Sequence, residues 1–255
     1  MKKLITLFFC CAMLFAVNEG NAQTAKKKVP RKVTVVKTVK GKKIKPVIYL
    51  PAANTLPDKA IKIKIVTDSG TMIVKLYDST PLHRDNFVKL VKEKFYDSLM
   101  FHRIIQGFMI QGGDPTSKNP AEGVQLGSGG DNMARIPAEF RKTLFHKRGV
   151  LAAARDNNPE KASSACQFYI VQGKIFTDAG LDSVETFRLK GRKLPLSHRE
   201  VYKTIGGTPH LDMRYTVFGE VESGLEVVDK IAAAVRDSNN RPLNDIRMKM
   251  KILRK

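Results

Sequence analysis

The chain has 255 residues, 42% of them hydrophobic, with 45 Lys and Arg against 24 Asp and Glu for a formal charge of +21. That suits one ordinary globular domain plus extensions. No apolar run approaches the roughly 20 residues of a spanning helix, and two of the three cysteines sit at the extreme N-terminal end.

Residues 1–22 begin MKK, continue through the 14-residue apolar run 4–17 and close on small Ala22. This is the pattern of a secretory signal peptide cleaved after Ala22, so an exported, soluble protein of the periplasm or cell envelope is expected. Cys10 and Cys11 raise the question of lipidation, but Phe9 and Cys10 precede them where that processing prefers a small residue. Once the segment is removed only Cys166 remains, which excludes an intramolecular disulfide. Within CQFYIV it reads as a small core hydrophobe.

Residues 23–60 read as a basic arm and linker. Positions 26–45 hold ten Lys or Arg and no acid. Such a run stays solvated, because like charges repel and no apolar face dominates. It suits electrostatic contact with an anionic surface, and for an exported chain nucleic acid is the less fitting target.

Residues 61–255 read as the folded domain. IKIKIVTD (61–68) and TMIVKLY (71–77) alternate apolar and polar residues around Ser69-Gly70, predicting a β-hairpin. The spacing of Leu82, Phe87, Leu90 and Val91, with Pro81 early, predicts a helix over 79–96. Short strands follow at 99–105, 108–113, 149–154, 166–171 and 216–221, then a helix at 224–235 and a last alternating strand at 246–253. Many short strands, few helices and close turns predict a mainly β barrel or sandwich with helices at its ends. Residues 174–209 interrupt the strands and read as a helical insertion. Capping-box spacing at Asp182/Glu185 and Ser197/Glu200 predicts its helix starts.

Familiar catalytic sets are absent. The five histidines are scattered, so neither a metal site nor a cofactor is expected, and His102 reads as structural. LGSGGDN (126–132) lacks the lysine of a phosphate-binding loop and reads as a flexible loop. What stands out is FHRIIQGFMIQGGD (101–114). A buried guanidinium is costly unless its five donors are satisfied, so Arg103 either has a carboxylate partner or faces a cleft. Arg103 and Gln111 are eight residues apart and would share a face of one uninterrupted strand, though 104–107 should bend the chain. Arg, Gln, Phe108 and Met109 cannot run acid–base chemistry at neutral pH, since Arg does not release its proton. They could bind an extended peptide and stabilise a twisted amide.

That stretch, with IPAEF (136–140), GVLAAAR (149–155), CQFYIV (166–171) and YTVFGEV (215–221) in this order, resembles the cyclophilins, peptidyl-prolyl cis-trans isomerases. The resemblance covers about 61–255 apart from the insertion. It implies a closed eight-stranded antiparallel β-barrel capped by two helices, with the active groove on its outer surface, acting on proline-containing unfolded or flexible polypeptides. By resemblance Arg103 is the catalytic arginine, and Gln111 the glutamine that binds substrate backbone and helps hold it. Phe108, Met109 and Leu211 match the proline pocket, Ala154 and Arg155 the strand that pairs with the peptide, and Gln167 the neighbouring run. Tyr169 stands where a pocket Phe is frequent, His210 where Trp is frequent, Tyr215 where a groove His is frequent and Arg155 where Asn is frequent. Retained catalysis with altered sequence preference, and weak binding of the family's inhibitor cyclosporin, are therefore expected. A proline-peptide binding module or holdase with little turnover is the alternative, and an anchoring role for the basic arm a third reading. Nothing in the sequence demands more than a monomer.

Overall fold

The computed structural model describes residues 60–121 and 124–253; the expected signal peptide and all but the last residue of the expected arm lie outside them. Strands β1 (Lys62–Thr67) and β2 (Gly70–Leu76) form the predicted hairpin. Their alternation puts Ile63, Ile65, Met72, Val74 and Leu76 inside. The intervening lysines face out, where Lys62 meets Glu222 at 2.6 Å and Lys75 meets Glu220 at 2.9 Å. Then come β3 (Arg103–Ile105), β4 (Met109–Gly112), β5 (Val150–Ala153), β6 (Phe168–Val171), β7 (Val217–Ser223) and β8 (Met248–Leu253).

All eight strands join one antiparallel sheet in the order β3-β4-β6-β5-β7-β2-β1-β8. Register shifts at Ile73/Val74 and Leu151/Ala152 mark bulges, which bend and twist a sheet toward closure. The ladder is open between β3 and β8. Closure is made by irregular backbone instead of the expected strand pair: Met100 bridges Arg247, and the N–H groups of Ser98 and Phe101 donate to the carbonyls of Met248 and Ile246. The predicted strand over 99–105 is accordingly ordered as a ladder only from Arg103.

Two helices plug the interior. Helix α1 (Pro81–Lys92) contributes Phe87, Val88, Leu90 and Val91, and α4 (Leu225–Ala232) contributes Val227, Val228 and Ile231. Burying each such side chain stabilises the fold by about 1.5–3 kcal/mol. Phe87 and Tyr96 pack edge-on against Phe168, each with ring centroids 5.6 Å apart. Thr80 makes no side-chain cap on α1. Its first N–H groups find a distant anion: the Glu139 carboxylate accepts from Leu82 N at 3.2 Å and His83 N at 3.0 Å. A negative charge there also complements the helix dipole.

The insertion carries α2 (Asp178–Ser183), a π turn (Val184–Arg188), α3 (Leu196–Thr204) and a 3-10 turn (Pro209–Leu211). Its own small core is Leu181, Leu189, Leu194 and Tyr202. The predicted capping boxes fail. Thr177, not Asp182, caps α2 by accepting from Gly180 N at 3.1 Å, and Ser197 lies inside α3, which starts after Pro195. Glu185 does a different job: its buried carboxylate accepts from Leu194 N at 3.0 Å and pairs with Arg199 at 2.9 Å and Lys193 at 2.8 Å. The insertion returns to the barrel at Gly207, which bridges both Lys147 and Lys174. A Cβ there would lie 2.3 Å from the His146 carbonyl oxygen, so no other residue permits this closeness.

Glu185 supplies a pH test of the insertion. Burial alone would raise its pKa, but Lys193, the Leu194 N–H and Arg199 outweigh it and hold the group at about 2 against an ordinary 4.5. A folded pKa below the unfolded one gives stability that is present above pH 4.5 and lost as pH falls toward 2. Thermal melting across that window should show a steeper loss for wild type than for Glu185→Gln. Equal slopes would remove Glu185 from the acid response.

Candidate functional site

Arg103 and Gln111 are not on one strand. The turn at 106–108 folds β4 back on β3 and makes the two residues direct cross-strand partners, so pairing, and not parity along one strand, puts them on one face. Gln111 Oε1 accepts from Arg103 Nη1 at 3.2 Å, the one hydrogen bond the Arg103 side chain makes among the described residues. No described carboxylate pairs with it, and burial lowers its pKa from the usual arginine value. The guanidinium therefore stands half-buried, oriented from one side, with its other donors uncommitted.

The polar line continues inward. Gln111 Nε2 donates to Gln167 Oε1 at 3.1 Å, and Gln167 Nε2 donates to the carbonyls of Gly127 and Gly129, each at 2.9 Å. Asp114 holds the same loop from behind, accepting from the N–H groups of Gly127 and Gly129 and from Thr116. Burial would raise the Asp114 pKa, but these hydrogen bonds prevail and lower it. The loop 126–132, expected to be flexible, is thus pinned by two side chains. A Cβ on Gly129 would fall 2.0 Å from Asp114 Oδ1, so the contact requires glycine. Behind this loop His102 is buried, and burial lowers its pKa to about 4. It stays neutral and outside the groove.

Beside this line the outer face of β4, β5, β6 and β7 carries a second apolar cluster. Met109, Ala154, Tyr169 and Leu211 belong to it, with Phe108 and Tyr215 packed on its edge. His210 stacks on Phe108 with ring centroids 5.6 Å apart. Next to the cluster a cavity of about 210 Å³ opens between Gln111, Gln167, Ala154, Arg155 and Met133. The groove therefore has an apolar half and a polar half that meet at Gln111 and Ala154.

Every sequence-predicted site residue is in this one place, with a redistribution of work at β5. The backbone of Ala154 is already used: its N–H donates to the Gln167 carbonyl at 2.9 Å and its carbonyl accepts from Ser164 N at 2.8 Å. The backbone groups of Arg155 make no hydrogen bond among the described residues, so Arg155 and not Ala154 presents a free backbone edge. Its guanidinium carbon sits 4.7 Å above the Tyr215 ring. Cys166 is a buried core residue whose thiol pKa is pushed up by burial, which leaves it inert.

Three residues of the site escaped sequence reasoning. The Tyr169 hydroxyl lies 3.0 Å from His146 Nε2, and His146 Nδ1 lies 3.0 Å from Asp212 Oδ1. In the neutral ring the carboxylate fixes the proton on Nδ1 and leaves Nε2 to accept from the tyrosine. Asp212 also accepts from His146 N at 2.8 Å and from the Tyr202 hydroxyl of α3 at 2.8 Å. This buried line ties the pocket wall to the insertion. Only the unmet hydroxyl expected of a buried tyrosine at 169 hinted at it.

Among the described residues no three His, Cys, Asp or Glu converge as a metal would need, and no helix is long and apolar enough to cross a membrane. Residues 62–252 match the family model of cyclophilin type peptidyl-prolyl cis-trans isomerases. A Staphylococcus haemolyticus protein, provisionally named a peptidyl-prolyl cis-trans isomerase, is 32% identical over 194 residues, 75% of this chain and 90% of that one. A Streptococcus pyogenes protein, provisionally named a bifunctional phosphatase/peptidyl-prolyl cis-trans isomerase, is 36% identical over 190 residues; the match spans 72% of this chain but 37% of that longer relative. The crystal structure of a Cryptosporidium parvum cyclophilin-type isomerase shares the fold at TM-score 0.57 and 23% identity, covering 77% of this chain and 99% of that one. A second crystal structure of that protein, in the presence of the dipeptide Ala-Pro, gives TM-score 0.56.

Proposed function

The chain belongs to the cyclophilin-type peptidyl-prolyl cis-trans isomerase family, and from that premise we propose that Arg103 carries the catalysis and that the protein assists folding in the cell envelope. Rotation about an X–Pro bond must cross about 18–20 kcal/mol, most of it lost amide resonance. As the bond twists, the prolyl nitrogen becomes pyramidal and gains a lone pair. A guanidinium fixed beside it can donate to that lone pair only then, which stabilises the twisted state over both planar ones.

The observation that carries this reading is Arg103 itself, half-buried, held by Gln111 and paired with no carboxylate among the described residues. Phe108, Met109, Tyr169 and Leu211 would receive the proline ring, and Gln111 with the Arg155 backbone would hold the peptide. The departures at 169 and 210 do not favour a binding module without turnover: the Tyr169 hydroxyl is engaged by His146, and His210 lies flat against Phe108. The direct test is cis-to-trans isomerisation of a Xaa-Pro tetrapeptide by the protein. Peptide binding without acceleration would favour the binding module instead.

Export and the basic arm form the second part of the proposal. The lysine-rich run 26–45 would hold the enzyme near anionic envelope polymers through salt-sensitive attraction. Deleting 23–60 should leave tetrapeptide isomerisation intact and reduce salt-sensitive adsorption to anionic surfaces. Loss of tetrapeptide activity with the arm would make the arm part of the catalytic domain.

A further inference from the structure

The insertion presents two arginines, Arg188 and Arg192, along one rim of the groove, and we propose that with Arg214 and Arg155 they select prolines flanked by acidic residues. This rests on the isomerase reading and names the substrate class of that site.

Three of the four guanidinium groups are organised by backbone and not by acids, and Arg188 contributes the carbonyl that holds one of them. Arg155 Nε donates to the Arg214 carbonyl at 2.9 Å, Arg214 Nη2 to the Arg188 carbonyl at 2.9 Å, and Arg192 Nη2 to the Asp212 carbonyl at 2.8 Å. Carbonyls orient a guanidinium without cancelling its charge. Three other cations of the insertion are committed to its own acids, Lys193 and Arg199 to Glu185 and Lys203 to Asp178, and Lys174 lies over the Phe176 ring. None of the four rim arginines has a carboxylate partner among the described residues. The nearby Asp212 carboxylate is buried and already engaged by His146 and Tyr202.

The rim adjoins the proline pocket. The π turn that ends in Arg188 packs against the 3-10 turn bearing His210 and Leu211. Arg155 covers Tyr215, and Arg214 precedes it. The charge reaches the groove: burial first, and then Arg188 among the neighbours, lowers the His210 pKa to about 4, so this wall adds no charge of its own near neutral pH. Arg188 and Arg192 are exposed. A carboxylate beside the substrate proline would meet donors already oriented, in charge-assisted hydrogen bonds that a neutral amide makes only weakly. Basic side chains there would be repelled, which gives selection against as well as for.

The test uses proline peptides that differ only in carrying Glu, Gln or Lys at one position within three residues of the proline. Both kcat/KM and Kd are read as the Glu-to-Gln ratio within each protein. Wild type should favour Glu by about three- to tenfold at one or more positions in low salt, with the preference shrinking as salt rises. In Arg188→Gln/Arg214→Gln the ratio should fall toward one; Arg188→Gln alone, at an exposed side chain, should lower it partway and serves if the double variant folds poorly. A wild-type ratio of one at every position overturns the proposal. So does a preference that survives the substitutions undiminished. Acceleration of the Gln peptides tests the isomerase reading separately, and if that fails the Kd ratio still decides the rim.

Discussion

Arg103→Ala should bind proline peptides nearly as well as wild type and isomerise them about 100- to 1000-fold more slowly, the usual loss when one preorganised donor to a transition state is removed. The separation of the two effects follows from where the guanidinium stands. It makes one hydrogen bond, to Gln111, and no ion pair among the described residues, so its removal leaves no buried charge without a partner. The apolar wall of Met109, Tyr169 and Leu211 is untouched and keeps most of the ground-state affinity. Peptide titration beside isomerisation kinetics reads both quantities. Arg103→Lys should fall between, since an ammonium retains the charge but lacks the planar fork that Gln111 orients. Unchanged kcat/KM in Arg103→Ala, or a loss seen wholly in binding, would remove Arg103 from the chemical step.

Asp212→Ala should destabilise the fold by about 3 kcal/mol or more, because it strands three groups at once: the backbone N–H and ring nitrogen of His146 and the hydroxyl of Tyr202. For a domain of this size that lowers the melting temperature by roughly 6–12 °C. Activity should fall as well, since Asp212 follows the pocket residue Leu211 directly and His146 holds the Tyr169 hydroxyl. Tyr202→Phe removes only the link from α3 and should cost about 1 kcal/mol. Combining Tyr202→Phe with Tyr169→Phe tests whether the line acts as a unit: non-additive losses would show coupling through His146 and Asp212. A melting temperature of Asp212→Ala within about 1 °C of wild type would show that this line is not a structural tie.

Much of the fold was legible because it is written in local periods. Ile63 and Ile65 alternate with lysines, Met72, Val74 and Leu76 keep the same period of two, and both β1 and β2 follow to within a residue or so. Phe87, Leu90 and Val91 mark the buried stripe of α1 in the same way. The candidate site was legible through the resemblance carried by residues 101–114 and 149–171, which named the groove residues the fold then gathers. Reading by local rules failed where a competing contact came from afar. The capping spacing at Asp182/Glu185 gave way to the pairing of Glu185 with Arg199, and the glycine loop 126–132 is ordered by Asp114 and Gln167 from outside it.

The sequence by itself determined most of the strands and helices and the chemical kind of the groove. Side-chain period and type are properties of neighbours along the chain, and neighbours are visible in one dimension. Only the tertiary structure decided that Arg103 lacks a carboxylate, that Arg155 and not Ala154 offers a free backbone edge, and that irregular backbone closes the barrel. It alone joined Tyr169 to His146, Asp212 and Tyr202, and lined up the arginines of the insertion beside the pocket. Those facts depend on how buried donors and charges find partners across the fold, and hydrogen-bond satisfaction at such separations leaves no mark on local spacing.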